Sequence, residues 1–418
     1  MKSDSNAIIY SSEGKQSIIA KFFLHLSAIE FLFFSGATYI VNTYFGIGPA
    51  SMIIYVFTCW LCCITNRKFQ IQGGNARKML FICFWITIST VVFGQGAHTF
   101  VFVSYIFFAF GTLLLVTASN FYTFRSTLLR YLTLLSLISI IVQVGHEFYG
   151  LFPSKPFVYS DGISVHYYSF IFNTGIAQGK RLASIYWEPG QYQIVIIYIL
   201  GLFADEWSDI YRWKSNLKKF GVLLIALILT LSTMAYLMML LMMVIIMVRS
   251  ARKSLKLISP ILLSGMIAAN FIINSEAIQN KVNEREEEKS NSSYTIRLAD
   301  NIGCLMVTLE DPLTGFGPGS DVLESRLLSQ GSMTSSNGWL FGAAQLGIPY
   351  IVFLWFCMWG NIKKLNPKTS TFLLFLLLVI SQCNEAGIAF PYIFMYVFSF
   401  PSLITNSYDE SYNCHSML

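Results

Sequence analysis

Charged side chains are scarce in this sequence. They supply only 12% of its 418 residues, against 55% hydrophobic, where soluble domains carry roughly a quarter. A water-soluble fold of this length cannot hide so much apolar surface, so a soluble globular class is excluded. Histidine is rarer still, with five in the chain. No basic run interleaved with aromatics occurs, which sets nucleic acid aside as a partner and leaves the net charge of +6 needing another explanation. The eight cysteines suggest no disulfide framework: Cys59, Cys62, Cys63, Cys83 and Cys357 fall inside apolar runs, and only Cys304 and Cys383 are reachable from outside. Cys59, Cys62 and Cys63 have no His partners and read as small packing residues rather than a metal cluster.

What the sequence does have is a succession of apolar runs from Ile18 to Ile404, many near the roughly 20 residues a helix needs to cross a bilayer. The reading is an all-α polytopic membrane protein with about twelve spans. They are placed at 18–41, 47–65, 79–95, 99–118, 127–146, 189–204, 220–231, 234–248, 257–273, 338–359, 370–384 and 389–405. Residues 1–16 are polar and the run after them is long and lacks a small-residue cleavage site, so the first span is expected to be retained. Basic residues fix the orientation. With both termini in the cytoplasm, every short loop carrying Lys or Arg falls inside. The exceptions are Lys155, Lys180, Arg181, Lys281, Arg285, Lys289, Arg297 and Arg326, all in two long external loops, 147–188 and 274–337. The positive charge thus reflects orientation.

The two long loops are where chemistry is expected, because every other connection is short. The first is rich in Tyr and Phe and reads as irregular structure on the membrane. The second opens on the charge run Glu284–Lys289, a solvated face, and then turns amphipathic. Ser292 or Ser293 can cap a helix over about 294–309, Asp311-Pro312 ends it, glycines 315, 317 and 319 supply a turn, and a shorter helix follows over about 321–329.

Three clusters carry candidate chemistry. In Lys180-Arg181-Leu182-Ala183-Ser184-Ile185-Tyr186-Trp187-Glu188-Pro189, Pro189 suits the first helical position and Glu188 sits at the positive end of the helix dipole. A capping carboxylate beside an interfacial arginine accounts for the same residues, although two cations here run against the inside bias, and Arg is well shaped to grip phosphate oxygens. The second cluster is Tyr294-Thr295-Ile296-Arg297 with Asp311-Pro312-Leu313-Thr314-Gly315-Phe316-Gly317-Pro318-Gly319. No Gly-Lys-Ser/Thr follows, so it is not a P-loop, and a tight turn explains it as well. The third, Leu229-Thr230-Leu231-Ser232-Thr233, lets the chain reverse between two spans.

In this order and topology the clusters resemble the O-antigen ligase and O-antigen polymerase (Wzy-type) superfamily of bacterial membrane glycosyltransferases. The resemblance rests on Arg181 to Pro189, the Leu-Thr-Leu-Ser stretch, Arg297 before Asp311 to Gly319, and Ser336-Asn337-Gly338-Trp339-Leu340 leading to Gln345-Leu346-Gly347-Ile348. It implies a GT-C-like membrane enzyme in the bacterial inner membrane that moves a glycan from an undecaprenyl-diphosphate carrier, in lipopolysaccharide or related polysaccharide synthesis. A chain-length regulator protein and membrane lipid are the implied partners. It implies Arg181, Arg297, Glu188 and His166 as catalytic candidates, and Lys180, Tyr186, Trp187, Gly315, Gly317 and Asn337 as substrate-binding ones. The ligase branch carries a His beside the Asn before the tenth span. This chain has Ser336-Asn337 there, which favours the polymerase branch. No Asp-x-Asp pair occurs in either long loop, so no metal or other cofactor is expected. The alternatives are a ligase, or a transporter or flippase of lipid-linked glycans. The latter should show mid-span charge, which is scarce: Glu30 with His25 is the clearest case, and Glu385 lies near an outer end.

Overall fold

The structure, a computed structural model, describes residues 17–36, 49–68, 70–93, 99–151, 154–158, 164–168, 172–173, 181–186, 188–209, 216–251, 293–330, 337–385 and 387–403. Helices dominate. In chain order they are α1 (Ile18–Phe34), α2 (Pro49–Thr65), α3 (Gly73–Phe93), α4 (Thr99–Ala118), α5 (Phe121–Tyr149), α6 (Pro189–Gly201) and the short α7 (Ala204–Trp207). After these come α8 (Leu217–Leu229), α9 (Thr233–Ala251), α10 (Ser293–Glu310), α11 (Asp321–Ser329), α12 (Gly338–Leu365), α13 (Thr371–Ser381) and α14 (Pro391–Val397). Among the described residues five helices are long and apolar enough to cross a membrane: α3, α4, α5, α9 and α12; 51–65 and α13 are apolar but shorter. The chain is a polytopic membrane protein. Of the expected spans, 257–273 lies outside the described residues. Span 389–405 is a correction in form, because its helix α14 is only Pro391–Val397, after a break around Gly387.

α6 occupies the middle of the bundle. All its residues from Pro189 to Gly201 are buried, the pattern of a helix that is apolar on every side. It packs against α5, α8, α9, α13 and α14, while α1, α2 and α4 pack together on one flank and α3 and α4 meet α12 and α14 on another. Polar contacts pin one end of this bundle. Arg249 at the end of α9 pairs with Asp205 and Asp209 at 3.5 Å each, and Arg125 pairs with Glu206 at 2.7 Å beneath the rings of Phe121, Tyr122 and Phe203.

The first long loop departs from the irregular structure expected. It forms a three-stranded antiparallel sheet of β1 (Ser154–Val158), β2 (Ser164–Tyr168) and β3 (Phe172–Asn173), with Pro156 opposite His166. The all-α class therefore gains a small sheet. Its signal was Asp161-Gly162 between segments rich in Val, Tyr and Phe, a hairpin pattern that the aromatic content obscured.

The second long loop is built around a break in α12. Gly347 adopts φ 76° and ψ 163°, with Pro349 just beyond. The break frees backbone groups that the Pro312–Gly317 turn then satisfies. Ile348 N donates to Pro312 O (2.8 Å), Phe316 N to Ala344 O (2.9 Å) and Gly317 N to Gln345 O (2.9 Å). From α3, Ser89 Oγ donates to Thr314 O at 2.7 Å and Trp85 Nε1 to Leu346 O at 2.7 Å, while Tyr105 of α4 donates to the Gln345 side chain. Interrupted helices are stable in a membrane when neighbours re-satisfy their backbone in this way.

Candidate active site

Four ionisable side chains from different parts of the chain come within electrostatic reach of one another at the end of the bundle where α8 turns into α9. Arg181 is held by that turn. Its Nε donates to Thr230 O at 3.0 Å, and the neighbouring Leu182 N donates to Leu229 O at 2.9 Å. The reversal is tight enough to force Leu231 to φ 46°, and Thr230 Oγ1 closes it by donating to Leu227 O at 2.7 Å. The Leu-Thr-Leu-Ser stretch is thus more than a connection, because its carbonyl oxygen fixes the direction of a guanidinium.

Glu188 is the N-cap residue of α6 in extended conformation, but its side chain makes no capping hydrogen bond. Its carboxyl group instead lies within electrostatic reach of Glu385, in the turn after α13. Arg181 and Arg297 both act on Glu385 electrostatically, and on each other. Arg297 projects from the first turns of α10. Burial pulls the Arg181 guanidinium below its ordinary value, with Glu188 opposing and the Arg297 charge reinforcing that shift; an arginine stays protonated nonetheless. Burial likewise pushes the Glu385 carboxyl well above the usual range, and the neighbouring Glu188 adds to it while the two arginines oppose. The arrangement brings two arginines and two carboxyl groups into one electrostatic neighbourhood.

The other expected site residues fall differently. Tyr186 is a correction: its ring, expected to face sugars, is wholly buried, stacked on Tyr192 at 5.5 Å with its hydroxyl donating to Leu32 O at 3.2 Å. An interfacial ring and a core ring look alike in sequence. Gly315 (φ 62°) and Gly317 (φ 81°) lie in the turn docked on α12, where a Cβ on Gly315 would run into the Gln345 backbone. Asn337 Oδ1 caps α12, accepting from Trp339 N at 3.1 Å and Leu340 N at 3.2 Å. His166 lies on β2, and Lys180 and Trp187 are outside the described residues. Among the described residues no group of His, Cys, Asp and Glu is arranged to hold a metal ion.

Glu385 was the residue that sequence reasoning passed over as a site member. Its signal was present: a carboxylate within the polar stretch Gln382-Cys383-Asn384-Glu385, between two apolar runs.

The described residues thus form a polytopic membrane bundle with a cluster of ionisable side chains at one end. Residues 220–355, from α8 through the break in α12, match the family model described as O-Antigen ligase. The matched segment includes Arg297 and the glycine turn; Arg181, Glu188 and Glu385 lie outside it. No curated protein and no solved structure matches the chain.

Proposed function

We propose that this protein is a polyprenyl-diphosphate-dependent glycosyltransferase of the polymerase type, joining lipid-linked oligosaccharide repeat units at the outer face of the bacterial inner membrane. The observation that carries this reading is the approach of Arg181 and Arg297, from two separate long loops, to the Glu188 and Glu385 carboxyl pair. An acceptor hydroxyl oxygen attacks the anomeric carbon of the donor repeat unit, and the bond from that carbon to the diphosphate oxygen breaks. The departing diphosphate takes the electron pair and gains a negative charge, which two fixed guanidinium groups stabilise more strongly than the ground state. Glu188 takes the hydroxyl proton. Lys180 adds a third cation beside Arg181, Trp187 offers a ring to a sugar, and His166 is the second candidate for the proton. Gly315, Gly317 and Asn337 shape the floor of the site through the α12 break and cap. A chain-length regulator is the expected protein partner.

The description of the matching family favours a second reading, a ligase that transfers a finished glycan once to a lipid or protein acceptor. Ser336-Asn337, without histidine, supports the polymerase. Purified protein incubated with an undecaprenyl-diphosphate-linked repeat unit and no other enzyme is expected to give a ladder of lengthening products. A single product formed only when a separate acceptor is supplied would establish the ligase, and no transfer under either condition would overturn both readings.

A further inference from the structure

Helix α10 carries its apolar side chains on the outside. Leu298, Ile302, Leu305, Met306 and Leu309 are 45–59% exposed, and their spacing of three and four residues puts them on one face. Leu313, in the turn just beyond, is exposed as well. The opposite face carries Asp300, Cys304, Val307 and Thr308, all buried. There Cys304 and Val307 pack with Phe316, Leu323, Leu327 and Ala344, and Thr308 Oγ1 donates to the Cys304 carbonyl at 2.7 Å. A helix that meets water has the reverse arrangement, with its apolar stripe turned to the core. Helix α11, from the same long loop, has it: Leu323 and Leu327 are buried while Asp321, Glu324, Ser325 and Arg326 are exposed.

What covers the α10 stripe follows from where it leads. Leu313 lies against Gly347, where a Cβ would strike the Leu313 carbonyl, and Ile348 N donates to Pro312 O at 2.8 Å. Ile348 in turn opens a second exposed stripe, continued by Val352, Phe356 and Trp359 along α12, a helix long and apolar enough to cross a membrane. On the other side of the turn α3, also of membrane-crossing length, exposes Val91 and Val92 close to Ser89, whose Oγ donates to Thr314 O at 2.7 Å. The lipid-facing surfaces of two spans thus meet the α10 stripe at the Pro312–Gly317 turn. Among the described residues α10 itself is not one of the helices able to cross, and an exposed apolar stripe on such a helix, continuous with lipid-facing spans, fits a membrane surface.

We propose that α10 lies in the leaflet at the Arg181 end of the bundle, with its stripe from Leu298 to Leu313 seated in the hydrocarbon of membrane phospholipid, while α11 stays in water. The second long loop is then part membrane surface and part aqueous. Arg297 stands one residue ahead of Leu298, so seating the stripe brings its guanidinium to the level of the lipid headgroups. On the glycosyl-transfer reading that is the level at which a lipid-borne diphosphate presents itself; the seating of α10 does not depend on that reading.

The test uses the full-length wild-type protein in vesicles of phosphatidylcholine and phosphatidylglycerol, doped with phosphatidylcholine carrying a diazirine in the upper half of one acyl chain. After irradiation, labelled peptides are mapped by mass spectrometry. Residues 298–309 are expected to carry label within about threefold of the yield on 348–359, the lipid-facing stretch of α12, and 321–329 about tenfold less. Label on 348–359 with none on 298–309, or label no stronger on 298–309 than on 321–329, overturns the proposal. A second measurement replaces Ile302 by the photoreactive p-benzoylphenylalanine. Cross-linking to phospholipid supports the seating, whereas a covalent dimer shows that a second copy of the chain covers the stripe and overturns it. Neither readout involves transfer. An inactive protein with labelled α10 sinks the glycosyl-transfer reading alone, and an active one with unlabelled α10 sinks the seating alone.

Discussion

Arg181 donates through its Nε to Thr230 O, so its planar fork has a fixed direction. Replacing it or Arg297 by Ala is expected to cost about 10²–10³ in transfer rate, the scale seen when one preorganised donor to a developing charge is removed. Lys at either position restores charge without the fork and should recover only part of that loss. If both grip one leaving group, the double Ala variant should lose less than the product of the single losses. Rates per folded protein are the measurement; normal specific activity in either Ala variant removes that residue from the site. At this scale the sequence was legible where a residue broke a rule. Arg181 and Arg297 stood out because they violate the inside bias of positive charge, and Glu188 because it precedes a helix-opening proline. Tyr186 misled, since nothing local distinguishes a ring stacked on Tyr192 in the core from one at an interface. Glu385 is an ionisable residue that only its spatial neighbours make meaningful.

The broken helix α12 and the Pro312–Gly317 turn behave as one element, because each supplies the hydrogen bonds that the other lacks. Gly347 sits at the junction, where its positive φ and the nearby Leu313 carbonyl both exclude a side chain. Gly347→Ala should therefore destabilise the protein by about 2–3 kcal/mol, combining backbone strain with displacement of the turn. Thermal unfolding in detergent checks it: an unchanged midpoint would show that the turn is free to move away. Surviving protein should also transfer more slowly, since α10, which carries Arg297, packs on α12. The helices α10 and α11 were readable from apolar spacing and from a serine at each start. The break was not, because Gly347 and Pro349 in an apolar run are compatible with a straight or kinked span, and only the partner turn decides between them. The β1–β3 sheet depended on pairing across residues that local composition cast as aromatic loop.

For the molecule as a whole, the proposed chemistry requires the Arg181 end of the bundle to face away from the cytoplasm. Tags after residues 70, 215 and 365 should then be cytoplasmic and tags near 160 and 285 external; an external tag at 215 would put Arg181 on the wrong side. With guanidinium groups holding the diphosphate, turnover should survive chelation of divalent ions. Activity lost in chelator and restored by Mg²⁺ or Mn²⁺ would reassign that task. The membrane class was plain from composition because a bilayer-spanning chain must place its apolar residues in long runs. Which ends meet was not plain, since helix packing is set by side-chain fit rather than by run length.

The site draws on the start of α6, the α8–α9 turn, α10 and the turn after α13. That dispersal has a consequence for biosynthesis. A ribosome that has passed α10 has already delivered both arginines and Glu188, whereas Glu385 joins the cluster only when its segment has left the tunnel and inserted. The growing chain thus acquires both arginines early and the second carboxylate late, so the proposed site is complete only once α13 and the turn after it have been made.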